Sequence, residues 1–91
     1  MDTELALEVL NSYYSEEPFV VVDERSPSTK ATFGSNAVHL TARVDPRTGH
    51  LIVISAIDNL GKGASGGAVQ CANLSLGLPE TTGLTTAGVT P

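Results

Sequence analysis

The sequence predicts a small α+β fold: an N-terminal helix, a short strand, an antiparallel β-hairpin and a C-terminal helix. Three observations predict it. Residues 3–14 carry apolar side chains at helical spacing. Residues 37–57 form two β-type runs around a proline–glycine turn. Residues 63–76 follow a glycine-rich turn and end on Gly77 and Pro79, a helix stop.

The first helix is expected over residues 3–14. Asp2 or Thr3 can cap it, and Glu4 suits the positive end of the dipole. Ala6, Val9, Leu10 and Tyr13 make its apolar stripe, widened by Leu5. Pro18 disfavours the helical region for the residue before it, so the helix stops ahead of it. Phe19 to Val22 is a short β-type run. Asp23 to Ala31 is polar, centred on Ser26-Pro27-Ser28-Thr29-Lys30, and reads as an irregular loop. Gly34-Ser35-Asn36 leads into the hairpin.

From Ala37 to Val44 the residues alternate, with Val38, Leu40, Ala42 and Val44 on one face. Asp45-Pro46-Arg47-Thr48-Gly49 is the turn, since proline presets φ and Gly49 can take a left-handed position. His50 to Ile57 returns. It is apolar on both faces, which predicts a strand that is central or covered on both sides. The last helix is expected over 63–76, with small residues along it and a Thr/Gly-rich tail over 77–91. Gly66 and Gly67 cost about 1 kcal/mol each in a helix interior relative to alanine. Their presence points to a close backbone approach or a tight junction of helix and strand.

Ninety-one residues suffice for one small domain or part of a larger one, 1–91, with a limited core. The net charge is −5 and the five basic residues are scattered, which argues against nucleic acid and anionic membrane as partners. A lone Cys71 excludes an internal disulfide and suits a reducing compartment, and there is no leader-like or membrane-spanning run. The expected location is the cytoplasm.

Gly61-Lys62-Gly63-Ala64-Ser65-Gly66 matches G-x-G-x-x-G after a predicted strand. The dinucleotide fingerprint also needs a following strand and an acidic residue about 20 positions on, and both are absent. The P-loop pattern fails too. Two readings of the turn remain. Its N–H groups and Lys62 can meet an anion at a helix start, or it is a tight junction with a solvated lysine. Cys71 lies about two turns into the helix, away from the dipole that would activate it, and is expected to be a small buried residue. His39 and His50 sit on opposite hairpin strands and, with one cysteine, give no metal-ligand spacing. No catalytic residue and no metal site are assigned.

Three stretches carry a resemblance. They are Pro27 to Asn36, then Ala56-Ile57-Asp58-Asn59-Leu60-Gly61-Lys62-Gly63-Ala64-Ser65-Gly66-Gly67-Ala68-Val69-Gln70, then Asn73 to Leu84. Together they resemble the C-terminal part of N-acetyl-γ-glutamyl-phosphate reductases, of the aspartate-semialdehyde-dehydrogenase-like family. The resemblance implies a longer parent in arginine biosynthesis that reduces an acyl phosphate to a semialdehyde with NADPH. It implies a Rossmann domain for the cofactor, a cysteine nucleophile, a histidine acid/base, and a dimerisation domain with a mixed sheet. The family's Ser-Asn-Pro-Gly-Cys-Tyr-Pro and His-Arg-His motifs have no counterpart here, so the chain alone is expected to be inactive. Gly67 stands where the family usually has glutamine, and Val38 where it often has cysteine.

By that resemblance Asn59, Leu60, Gly61, Lys62 and Gly63 line the NADP site, but only within a complete enzyme. Lys30, Ser35 and Asn36 are candidates for a place near substrate. The alternative for these three is a loop-to-strand junction held by side-chain-to-backbone hydrogen bonds. The expected partners are a second copy or a separate N-terminal Rossmann domain, with a small-molecule substrate in the full enzyme. The competing readings are a non-catalytic association module and a decayed fragment without activity of its own.

Overall fold

The structure, a computed structural model, describes residues 1–86. Helix α1 spans Thr3–Tyr14. Asp2 has extended backbone and its Oδ1 accepts from the Leu5 N–H at 2.8 Å, satisfying one of the helix's orphan donors. Thr3 Oγ1 accepts from the Val44 N–H at 2.8 Å, pinning the start of the helix to the end of a strand.

Three strands follow: β1 at Val20–Val22, β2 at Val38–Val44 and β3 at Leu51–Ile57. Their order is β1-β2-β3, with β1 parallel to β2 and β2 antiparallel to β3. The sheet is therefore mixed and the fold α+β. Parallel pairing requires a crossover, which residues 23–37 supply as a chain of turns. The hairpin closes with Asp45 N–H on His50 O (2.9 Å) and Gly49 N–H on Asp45 O (2.8 Å). Gly49 has φ +75°, the left-handed position that a side chain would strain.

Helix α1 packs on β2 and β1. An apolar groove of about 90 Å³ runs between Met1, Ala6, Val9 and Leu10 of its side and Ala42, Leu51 and Val53 of the hairpin. Among the described residues, the buried apolar ones are Ala6, Phe19, Ala37, Ala42 and Ala56, a core of small side chains around one aromatic ring.

β3 departs from expectation. It is an edge strand among the described residues, and Leu51, Ile52, Val53, Ile54 and Ile57 are all exposed on its two faces. Apolarity on both faces predicts coverage on both sides, but α1 only borders Leu51 and Val53, and all five side chains stay exposed. Where one helix over 63–76 is expected, the chain forms a π-helical turn at Gly61–Ser65 that runs into helix α2 at Gly66–Ser75. Gly77, at φ +73°, follows the end of α2. Cys71 is exposed, not buried, because α2 rests on its polar face: its buried residues are Gly66 and Asn73. His39 pairs with Ala56, whereas His50 lies beyond the Val44–Leu51 pair at the other end of the hairpin, so the two do not meet.

Candidate functional site

The site grows from the end of β3. At Asp58 the chain leaves the sheet, and the Asp58 carboxylate turns back to accept the Gly61 N–H at 2.7 Å. Gly63 N–H reaches Asp58 O at 2.9 Å and Ser65 N–H reaches Leu60 O at 3.1 Å, both five residues back. That spacing defines a π-turn, a form seen mostly as single turns and often at functional sites. Lys62 N–H donates to Ser35 O at 3.3 Å, which ties the turn to the loop before β2.

The close approaches explain the glycines. A Cβ on Gly61 would stand 2.2 Å from Ser35 O. One on Gly66 would stand 2.5 Å from Asn36 Oδ1, and one on Gly67 2.6 Å from Lys62 O. The expected close backbone approach is thus the Ser35-Asn36 segment and the turn's own carbonyls.

A cleft of about 530 Å³ opens beside the turn, lined by Thr29, Lys30 and Phe33 from one loop and Ile57, Asp58 and Asn59 from the other. Of the five residues expected at a cofactor, Asn59 lines this cleft and Leu60 is 72% exposed. The N–H groups of Gly61, Lys62 and Gly63 all have partners inside the protein. The picture of free N–H groups waiting for an anion therefore does not hold at these three positions. The Lys62 ammonium donates to Gln70 Oε1 and stands 5.5 Å from the Phe19 ring centroid.

Of the three substrate-side candidates, Lys30 borders the cleft and its side chain is exposed. Ser35 and Asn36 are buried. Ser35 Oγ donates to Thr32 O at 2.8 Å and accepts from the Ala37 N–H at 3.2 Å. Asn36 Nδ2 donates to Gln70 Oε1 at 2.9 Å, and the Asn36 N–H to Thr85 O at 2.9 Å. Its Oδ1 is buried without a hydrogen-bond partner, facing Gly66.

A second cavity, about 390 Å³, lies over the sheet between Val21, His39 and the 23–31 loop. There the Arg25 guanidinium hydrogen-bonds to Asp23 and holds its exposed carboxyl below the usual range. No group of three or more potential metal ligands occurs among the described residues.

Residues 1–59 match the family model described as semialdehyde dehydrogenase, dimerisation domain. The chain belongs to this family. The match spans α1, all three strands and Asn59. Likeness to individual relatives continues beyond Asn59, through the π-turn and α2. The chain is 56% identical over 92 residues to an N-acetyl-gamma-glutamyl-phosphate reductase of Frankia casuarinae, covering 99% of this chain and 27% of that protein. It is 58% identical over 85 residues to the enzyme of the same name from Salinispora arenicola, 91% of this chain and 26% of the relative. For the Corynebacterium aurimucosum protein of that name the identity is 44%, over all of this chain and 27% of the relative. The chain thus spans about a quarter of the length of the curated relatives it matches.

Sequence reasoning passed over Gln70, Asn73 and Glu80. Gln70 and Asn73 are three apart, so they share a helix face, and they are the polar side chains that anchor α2. Asn73 Nδ2 donates to Glu80 O (3.0 Å) and Thr82 O (2.9 Å), folding residues 79–85 back against the helix. The available signal was a pair of amides three apart in a helix otherwise made of small residues.

Proposed function

We propose that this chain is the part of an NADP-dependent N-acetyl-γ-glutamyl-phosphate reductase that supplies one wall of the cofactor site and the dimer surface. The relatives are named N-acetyl-gamma-glutamyl-phosphate reductase, and the cleft beside Asn59 gives the reading its geometry. Asn59 to Gly63 form the cofactor side, with the Asn59 carboxamide as the contact to the nicotinamide end. Lys30, across the same cleft, is the cation available to the substrate side. Nucleophile and acid/base come from outside these 91 residues, so the chain alone has no turnover. The residues present fit a cofactor's edge, because Asn59 and the exposed aromatic ring of Phe33 flank an open cleft.

The test is a chimera. This chain replaces the matching quarter of the Frankia casuarinae relative, and NADPH-dependent reduction of the acyl phosphate is assayed. Activity is expected from the chimera and none from the chain alone. Within the chimera, Asn59→Ala should raise the KM for NADPH about tenfold, the scale of one or two lost hydrogen bonds. An unchanged NADPH KM would remove Asn59 from the cofactor.

The exposed apolar β3 favours a second, compatible role in self-association. An apolar edge strand is a site for pairing with another chain.

A further inference from the structure

We propose that Lys62, Gln70 and Glu80 form a polar lock that holds the Asn59–Ser65 turn in place, with Lys62 a positioning residue of that turn and not a phosphate contact. A lysine in a glycine turn at a cofactor cleft invites the opposite assignment. The geometry does not support it. Lys62 Nζ donates inward to Gln70 Oε1, with the buried Phe19 ring 5.5 Å away. Gln70 Oε1 also accepts from Asn36 Nδ2 at 2.9 Å, while Gln70 Nε2 donates to Glu80 Oε2 at 2.5 Å. The carboxamide thus joins an ammonium on one side to a carboxylate on the other. Charge-assisted hydrogen bonds of this kind are about twice as strong as neutral ones.

The lock ties together four segments, of which the one carrying Asn36 is 34 positions from Gln70. Lys62 belongs to the π-turn, Asn36 to the loop before β2, Gln70 to α2 and Glu80 to the returning chain. The backbone reinforces it through Lys62 N–H on Ser35 O and Asn36 N–H on Thr85 O. α2 offers little apolar burial: Val69 and Leu74 are exposed, as is Leu76 just past its end. Polar contacts therefore hold the helix and, through it, the turn that carries Asn59 to the cleft. The assignment of Lys62 away from phosphate rests on the proposed cofactor site; the lock itself does not.

The first test uses the 91-residue chain and amide hydrogen exchange at Gly61, Gly63 and Ser65. Gln70→Leu and Lys62→Met should each speed exchange about tenfold, and the double variant no more than either single, because the two residues act as one unit. Exchanging amide and carboxylate, Gln70→Glu with Glu80→Gln, keeps the charge count and should restore protection to within about threefold. Additive effects, or no recovery in the exchanged pair, would overturn the lock. The second test uses the chimera. Lys62→Met and Gln70→Leu should raise the NADPH KM by the same factor and leave the acyl-phosphate KM unchanged, with recovery in the exchanged pair. A loss confined to Lys62→Met would make it a direct phosphate contact. The Asn59→Ala result reports on the cofactor reading separately, since exchange in the 91-residue chain does not depend on NADPH.

Discussion

At Gly61 a side chain has nowhere to go. Its Cβ would stand 2.2 Å from the Ser35 carbonyl oxygen and 2.9 Å from Asp58 Oδ2. The Ser35 oxygen is backbone, fixed by a buried serine, so the turn itself must move. Gly61→Ala should cost about 1–3 kcal/mol, the range for overpacking a filled site. Gly63→Ala is the contrast: its nearest contact is Asp58 O at 3.3 Å, which a small shift relieves. Urea unfolding of the two variants checks the order, and equal midpoints would refute it. The need for small residues here was legible in the sequence, because paired glycines in a helix have no other local reason. The atoms that press on them were not. Asn36 and Gln70 meet across 34 positions, and such contacts leave no periodic trace.

Among the elements, α1 and the hairpin were the most legible. The helix begins at Thr3 and ends at Tyr14 as capping and proline signals require, because both signals act within one turn of the residues that carry them. Asp2→Ala removes the bond from the Leu5 N–H, and thermal unfolding should show a loss of about 1 kcal/mol. An unchanged Tm would mean that the tie from Val44 N–H to Thr3 Oγ1 holds the helix start without its cap. α2 is less legible, for a physical reason. Periodicity locates an apolar face, but this helix is anchored by two amides and leaves its leucines outside. The π-turn ahead of it has no local sequence rule, since it depends on where Asp58 and Ser35 place their acceptors. β3 is legible as a strand, whereas its surroundings are not. Alternation and apolarity report what a strand needs to bury, not which chain buries it.

The whole molecule carries that unmet need as surplus surface. Its accessible area is 5962 Å², against about 5,000 Å² for a compact monomer of this mass. Its radius of gyration is 14.5 Å, against about 12 Å for a compact domain of this length. The exposed branched side chains of β3 concentrate on an unpaired edge. Ile52 and Ile54 share the face opposite Leu51 and Val53, which line the α1 groove. The chain should therefore self-associate, and sedimentation should give an assembly larger than one copy at about tens of micromolar, above the weak, micromolar end of standard-size interfaces. Ile52→Lys with Ile54→Lys places two like charges on the open face and should return it to a monomer with the helix content of the parent. Leu74→Lys, on exposed α2, should leave the assembly intact. A monomeric parent would sink the self-association claim. An assembly that survives both lysines would move the contact off this face of β3, toward the groove that Met1, Val9 and Leu10 leave open.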